Sequence, residues 1–192
     1  MSAKRRAPRQ RILTAALEIF SERGVGATSV QDVAKAAGMS KQALMHHFPT
    51  KEQLREGVYE LLASQLRAEF PSAASELVSR SHDRYRALLE LVLRRFTEQR
   101  SLARFLVFEL LERPDEVSQW LREEVAPWLG LVQGVVSQSK EAPEGFDSNL
   151  HLTVLATLML AQSALVPRDD KRWHGKYQKA ALRVLLVSSH LT

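Results

Sequence analysis

Two short helical patterns lie between positions 28 and 48, separated by the turn Gly38-Met39-Ser40. Two helices that cross this closely need a small residue at their contact and a glycine at the bend, which Ala34 and Gly38 supply. The side chains of the second helix that packing does not require are Lys41, Gln42, Ala43, Met45 and His46. Donors, acceptors and methyl groups on an exposed helix can contact base edges in a major groove. The pattern therefore predicts a helix-turn-helix that reads duplex DNA.

Positive charge is concentrated in the first quarter of the chain. The 192 residues carry a formal net charge of +5. Residues 1–51 contain nine Lys and Arg against three acidic residues, a balance of +6, whereas the remainder has a balance of −1. Such asymmetry indicates that one part of the chain meets a polyanion, either nucleic acid or an anionic membrane surface. The basic residues at 4, 5, 6, 9 and 11 predict a flexible arm that contacts phosphates or a minor groove, with a solvated tail as the alternative.

Enzymatic motifs are not found in the sequence. The chain has no cysteine, which excludes disulfides and thiolate chemistry and fits a reducing compartment. Gly24 and Gly26 are followed by Ser29 where a dinucleotide fingerprint has its third glycine, and no strand precedes them. His46 and His47 point about 100° apart on a helix, so we expect no metal there. The prediction is a protein that is not an enzyme.

The first two helices are defined by their apolar periodicity and by residues that begin or end helices. The spacing is helical nearly everywhere and nowhere alternates with period two, which predicts an all-α fold. Helix one is expected over 8–23, with Pro8 in its first turn and Gly24 as a left-handed stop. Thr28 and Gln31 have the spacing of a capping box, which would open helix two.

Further capping residues predict where the next helices begin. Ser40 is the expected N-cap of a brief helix three that ends at residue 47. Thr50 and Gln53 would open helix four, and Phe70-Pro71 marks a connection after it. Later helices are expected near 82–99, 101–112, 115–138, 147–166 and 172–191. Pro114 and Pro127 fall where a helix must begin, end or kink.

The last two predicted helices are apolar on more than one face, so they must be buried on more than one side. Packing against the same helices of a second copy would bury them in a four-helix interface. The most apolar window, 150–166, is interrupted by polar residues and is shorter than a bilayer crossing requires. The N-terminus also lacks the uninterrupted apolar run of a secretory signal. These features predict a protein located in the cytoplasm and not in a membrane.

Residues 8–68 resemble the N-terminal domain of the tetracycline-repressor (TetR) family of bacterial transcriptional regulators. The resembling residues are the run 12–20, Gly24, Thr28-Ser29-Val30, Asp32-Val33-Ala34, Ala37 to Lys41, Leu44 to Phe48, and Lys51-Glu52. The resemblance implies a three-helix DNA-binding domain at 8–68 with its recognition helix at about 40–47. It also implies a C-terminal helical bundle at 69–192 that binds an effector and dimerises.

The resemblance also implies roles for individual side chains. Lys41, Gln42, Ala43 and His46 would contact base edges or nearby phosphates. Thr28 would turn a hydroxyl toward a phosphate, and His47 and Lys51 would hold the backbone of the opposite strand. Met45 departs from the family pattern, which usually has tyrosine at this position. Apolar contact with a thymine methyl would replace the tyrosine hydroxyl.

Two hypotheses follow for the function. In the first, the chain is a homodimeric, ligand-responsive transcriptional repressor that binds a near-palindromic duplex operator. It needs no cofactor other than an unidentified small-molecule effector. In the alternative, it is a basic peripheral membrane or scaffold protein anchored through its N-terminal amphipathic helix. Glu18 and Glu22 on the polar side of that helix weigh against the anchor, and its apolar stripe is needed to pack helices two and three.

Overall fold

A computed structural model describes residues 3–80 and 84–138 of the chain, and every element in these ranges is helical. The predicted helices at 147–166 and 172–191 lie outside the described residues, as does the dimer interface expected there. The elements are α1 (Ala3–Arg23), α2 (Val30–Ala36), α3 (Lys41–His47), α4 (Lys51–Ser79), α5 (Arg84–Glu98), α6 (Arg100–Glu112), α7 (Pro114–Trp120), a π-helical turn (Leu121–Val125) and α8 (Ala126–Val136). The predicted all-α fold is confirmed.

The helices divide into two compact units. The first, which we call the head unit, contains the chain up to Ala68 together with Arg104–Val117. The second contains Glu69–Ala103 and the described residues from Ser118 onward. α4 and α6 therefore each contribute to both units. The functional division predicted between residues 68 and 69 remains a prediction.

α1 begins earlier than predicted and ends where predicted. It starts at Ala3, so Pro8 lies inside the helix and not in its first turn. The missing N–H of Pro8 removes one hydrogen bond close to the helix end, a loss that the helix tolerates there. The flexible arm expected at residues 4–11 is therefore wrong, because these residues continue α1. Gly24 ends the helix with φ 77°, and its N–H donates to the Phe20 carbonyl at 2.9 Å.

The capping box of α2 lies one residue later than predicted. Ser29 is the N-cap: its Oγ accepts from the Asp32 N–H at 3.1 Å, and its own N–H donates to the Asp32 carboxylate at 3.1 Å. The predicted Thr28–Gln31 box is wrong because the Thr28 hydroxyl is buried and donates to the Gly24 carbonyl at 2.7 Å. Hydrogen bonds from the side chain and then the backbone of Ser29 hold the pKa of Asp32 below its usual value. The carboxylate therefore stays charged at the positive end of the α2 dipole.

α4 continues through the proline that was expected to end it. Its predicted opening is confirmed on one side, since the Gln53 N–H donates to Thr50 Oγ1 at 3.1 Å. The helix then runs to Ser79 with Pro71 inside it, so the connection predicted at Phe70-Pro71 is wrong. Tertiary contacts on both sides of the proline compensate for its lost hydrogen bond. Before the proline, the ring centroid of Phe70 lies 3.8 Å from that of Trp128. After the proline, Leu77 is buried.

Ion pairs also connect this part of α4 to α5 within the second unit. Glu69 accepts from Arg95 at 2.6 Å, and Glu76 accepts from Arg94 at 3.3 Å. The apolar side chains buried in the described part of this unit are Leu77, Tyr85, Ala87, Leu89, Leu93, Ala103 and Val136.

The single helix predicted over 115–138 is interrupted in the structure. Pro114 is the first residue of α7 and Pro127 the second of α8, which confirms that both prolines mark helix boundaries. Between these helices lies the π-helical turn. A proline ring clashes with the carbonyl four residues earlier, which for Pro127 is Glu123 inside that turn. Widening the turn relieves the clash, so the one predicted helix becomes α7 and α8.

A close approach at Gly57 fixes the packing of α4 in the head unit. A Cβ built on Gly57 would lie 2.8 Å from Leu13 Cδ2 and 2.8 Å from Phe48 Cε1, shorter than van der Waals contact. Both neighbours are buried, so neither can move aside freely. This core also contains Ile12, Ala16, Phe20, Val33, Ala34, Ala37, Leu44, Leu54 and Val58, among others. A glycine inside a long helix is therefore required here by space.

α6 joins the head unit through an aromatic contact and a hydrogen bond. Phe105 is fully buried. Its ring centroid lies 6.3 Å from that of Phe20 and 5.3 Å from that of Tyr59. One residue earlier, Arg104 Nε donates to the Ser21 carbonyl at the end of α1 at 2.8 Å. α6 therefore contacts both α1 and α4.

A buried ion pair adds a polar connection between α4 and α6. Arg55 donates from Nη1 to Glu109 at 3.0 Å and from Nη2 to Glu116 at 2.6 Å, and the Tyr59 hydroxyl donates to Glu109 at 3.1 Å. The Glu109 side chain is 0% exposed and that of Arg55 is 8% exposed. Burial alone would lower the pKa of Arg55, but the hydrogen bonds to Glu116 and Glu109 raise it. Burial and then the Glu109 charge raise the pKa of Tyr59, so its hydroxyl remains a donor.

Gly57→Ala tests the close approach in the head core. We expect a loss of about 1–2 kcal/mol in the free energy of unfolding, because overpacking costs about 1–3 kcal/mol and alanine regains up to about 1 kcal/mol of helix propensity. The measurement is urea unfolding of the full chain. Gly130→Ala in α8 is the matched control, since its built Cβ has no neighbour within 4 Å beyond the adjoining backbone of its own helix, and it should be neutral or stabilising. Equal effects at the two positions would contradict the packing.

Glu109→Gln tests the buried ion pair. Removing one partner leaves a buried charge poorly compensated, which costs about 3–5 kcal/mol in general. Because Glu116 still pairs with Arg55, we expect about 2–4 kcal/mol, measured by the same urea titration. Glu60→Gln removes a carboxylate from the exposed pair with Arg9 and should cost below about 1 kcal/mol. A loss at Glu109 no larger than that at Glu60 would show that the pair does not hold α6 to α4.

Candidate nucleic-acid interface

α3 presents a polar face to solvent because one apolar residue fixes its rotation. Leu44 is 0% exposed and belongs to the head core. Ser40 is the N-cap, as predicted, and its Oγ accepts from the Ala43 N–H at 3.1 Å. The exposed side chains of the helix are Lys41, Gln42, Ala43, Met45 and His46. Their outward position is confirmed, and their contact with DNA stays a prediction.

The turn between α2 and α3 has the geometry that the sequence predicts. Gly38 has φ 65°, a left-handed conformation that favours glycine. The Met39 N–H donates to the Ala34 carbonyl at 3.0 Å, and Ala34 is fully buried. From α1, Arg11 Nη2 donates to the Ala37 carbonyl at 2.6 Å, at the negative end of the α2 dipole. Backbone and side-chain contacts together hold the turn.

Two of the basic residues assigned to the arm have partners within the head unit. Arg9 pairs with Glu60 at 2.8 Å and lies over the Phe48 ring, with its guanidinium carbon 5.2 Å from the ring centroid. Arg11 holds the end of α2, as described above. Neither residue is part of a free arm, because both lie on α1 and both side chains contact other parts of the head unit.

The three residues that the resemblance assigns to phosphate contacts lie in different surroundings. Both donors of Thr28 are engaged: its hydroxyl with Gly24 and its N–H with the Val25 carbonyl at 3.2 Å. Lys51 Nζ donates to the carbonyls of Val25, Gly26 and Thr28 at 3.0, 3.2 and 3.2 Å. His47 is half-buried beside His46, with ring centroids 5.8 Å apart. The phosphate contacts of all three stay predictions, and only His47 is without such an internal role in the described hydrogen bonds.

The geometry of α1 bears on the alternative of a membrane anchor. Its apolar residues Ile12, Leu13, Ala16 and Phe20 are buried in the head core and cannot enter a lipid surface while the head is folded. Within residues 3–80 and 84–138, no helix has the length and hydropathy needed to cross a membrane. The anchor hypothesis is not supported.

Comparison with known proteins also identifies a DNA-binding region in the head unit. Residues 12–58 match the family model of bacterial regulatory proteins, tetR family. The chain is 26% identical over 194 residues to the HTH-type transcriptional regulator AcrR of Shigella flexneri, covering 83% of this chain and 90% of that protein. It is 35% identical over 83 residues to the HTH-type transcriptional repressor Rv3405c of Mycobacterium tuberculosis. That match covers 43% of this chain and less than half, 44%, of the repressor.

A solved structure extends the likeness beyond the head. AibR, in complex with isovaleryl coenzyme A and operator DNA, has a TM-score of 0.65 and 18% identity, over 91% of this chain and 96% of that one. At this identity the likeness concerns the fold. The family model, which spans residues 12–58, includes the helix-turn-helix of α2 and α3. Residues 12–58 therefore match the DNA-binding region of the tetR family of bacterial regulatory proteins, and the chain as a whole is similar to HTH-type transcriptional regulators.

Proposed function

We propose that the protein is a ligand-responsive repressor that binds a near-palindromic operator as a homodimer. The observation that carries the proposal is the exposed face of α3, held outward by the buried Leu44. In a twofold dimer, two such helices would enter successive major grooves about 34 Å apart. An operator read in this way has matching half-sites. The name of the mycobacterial relative, a repressor, supports the direction of regulation.

Each exposed side chain of α3 suits a particular contact. Gln42 can pair with the N6 and N7 edge of adenine, and Lys41 can donate to guanine O6 and N7 or to a phosphate. Ala43 and Met45 offer apolar contact to a thymine methyl. His46, near the end of the helix, can donate to a base or to the backbone. His47 would hold a phosphate and so position the head without reading sequence.

The effector is a small molecule bound in the C-terminal helical domain. The neighbouring AibR structure, which holds both a ligand and operator DNA, supports such a site in this fold. α4 and α6 are the described helices that belong to both units, so a ligand-dependent shift in either would reach the head. The contacts of Arg55 and Phe105 would carry the shift to α1 and α4. The ligand must bind the DNA-incompetent state more tightly, since otherwise the equilibrium does not move.

Gln42→Ala tests the direct readout by α3. The probe is a palindromic duplex selected by the unsubstituted protein from a random pool. Loss of the bidentate adenine contact should weaken binding by about 1–3 kcal/mol and relax preference at one base position in each half-site. The measurement is a binding titration against the selected duplex and its single-position variants.

Gln31→Ala, which removes an exposed glutamine from α2, is the matched control and should leave the preference at every position unchanged. If Gln42→Ala kept full preference at all positions, α3 would not be the element that reads sequence. Failure of the unsubstituted protein to enrich any duplex would reject the proposed function as a whole.

A further inference from the structure

Lys51, the first residue of α4, lies at the turn that joins α1 to α2. Its Nζ is surrounded by the backbone carbonyls of Val25, Gly26 and Thr28, at 3.0, 3.2 and 3.2 Å. An ammonium group has three donors and no acceptor, so these three contacts use its full hydrogen-bonding capacity. The side chain is half-buried. A phosphate oxygen could take one of these donors only if Lys51 released one of the three carbonyls.

The turn held by Lys51 determines where α2 begins. Within it, Thr28 is buried and its hydroxyl is bonded back to Gly24, while the next residue, Ser29, caps α2. α2 in turn carries Ala34, whose carbonyl accepts the Met39 N–H of the turn before α3. A displacement at the start of α2 therefore changes the position of the recognition helix.

We propose that Lys51 is a positioning residue that sets the register of α2 and thereby of α3, and that it contributes to DNA binding through this turn and not through a phosphate contact. The proposal rests on the proposed function, because it concerns how the head is presented to DNA. Lys51 joins three carbonyls of the turn from one point, and one of them, that of Val25, also accepts from the Thr28 N–H at 3.2 Å. Loss of the amine weakens DNA binding because α2 and α3 are held less firmly. It removes no contact with a phosphate, so it does not change the number of counterions that binding releases.

Salt dependence separates a positioning residue from a phosphate contact. Each neutralised phosphate contributes about 0.9 to the slope of log affinity against log salt. A residue that acts only through the turn lowers affinity and leaves that slope unchanged. Lys51→Arg adds a second distinction, because a planar guanidinium preserves a phosphate contact but cannot direct three donors from one point at three carbonyls.

The experiment compares the full chain with Lys51→Met, Lys51→Arg and Lys41→Met. Without DNA, we measure the Tm and the hydrogen exchange of the α2 amides. With the duplex selected by the unsubstituted protein, we measure Kd over a salt series. Lys41→Met is the matched control, since it removes an exposed lysine that the proposed function places against DNA. It should leave the Tm and α2 exchange unchanged and reduce the salt slope by about 0.9 if Lys41 meets a phosphate.

We expect both Lys51 variants to lower the Tm by about 3 °C or more and to raise α2 exchange at least about tenfold. Both variants should bind the duplex more weakly than the unsubstituted protein. Their slope of log affinity against log salt should equal that of the unsubstituted protein. The proposal is overturned if Lys51→Arg keeps full affinity, or if Lys51→Met reduces the slope by about 0.9 with α2 exchange unchanged. If Lys51→Met fails to fold, Lys51→Arg decides by the same measurements. If no protein binds any duplex, the proposed function fails, while the DNA-free measurements still decide whether Lys51 holds the turn.

Discussion

Burial of Leu44 is the constraint on which the exposed face of α3 depends. α3 has seven residues, too few for a helix to be stable by itself in water, so its existence and its rotation come from packing. Once Leu44 enters the core, the helical period places the polar side chains of α3 in solvent. The left-handed Gly38 then sets the angle at which α3 leaves α2. The interactions that fix the exposed face of α3, the burial of Leu44 and the turn at Gly38, lie within the head unit.

The head unit is not a continuous stretch of sequence. Residues 104–117 join it through Phe105 and through the buried carboxylate of Glu109. A buried charge is costly unless it is compensated, and the contacts from Arg55 and Tyr59 both converge on one oxygen, Oε2. The structure therefore ties the stability of the head unit to a segment far away in the chain. A displacement of α6 would therefore change contacts that are buried within the head unit.

Local signals in the sequence predict the helix ends of the head unit well where only one nearby residue can end or cap the helix. Gly24 and Gly38 end and turn helices as expected, and Ser40 caps α3, because each effect depends on neighbours within four residues. The Thr28–Gln31 box fails by one residue because Ser29 offers an equivalent cap and Thr28 is taken by a buried bond to Gly24. Spacing alone cannot decide between two adjacent hydroxyls when tertiary burial selects one of them.

Long-range packing accounts for the rest. Pro71 resembles a helix stop until Trp128, far along the chain, is placed against Phe70. Glu109 is an acidic residue within the apolar run of α6, a signal of buried pairing that the periodicity does not resolve. Gly57 has no local signature of its close approach to Leu13 and Phe48. Lys51 has the residue type and position of a phosphate contact, and only the coordinates reveal the three carbonyls around it.

The most direct test of the outward-facing α3 uses the absence of cysteine from the chain. In Met45→Cys, the single thiol lies on the exposed face of α3, and in Leu111→Cys it lies on α6, where the leucine is 78% exposed. We expect both thiols to react rapidly with an alkylating reagent in the free protein. A saturating amount of the selected duplex should slow Met45→Cys at least about tenfold and leave Leu111→Cys unchanged, because the groove covers only α3. A Met45→Cys thiol that is unreactive without DNA would show that α3 does not face outward, and one that is equally reactive with DNA would show that α3 does not enter the groove.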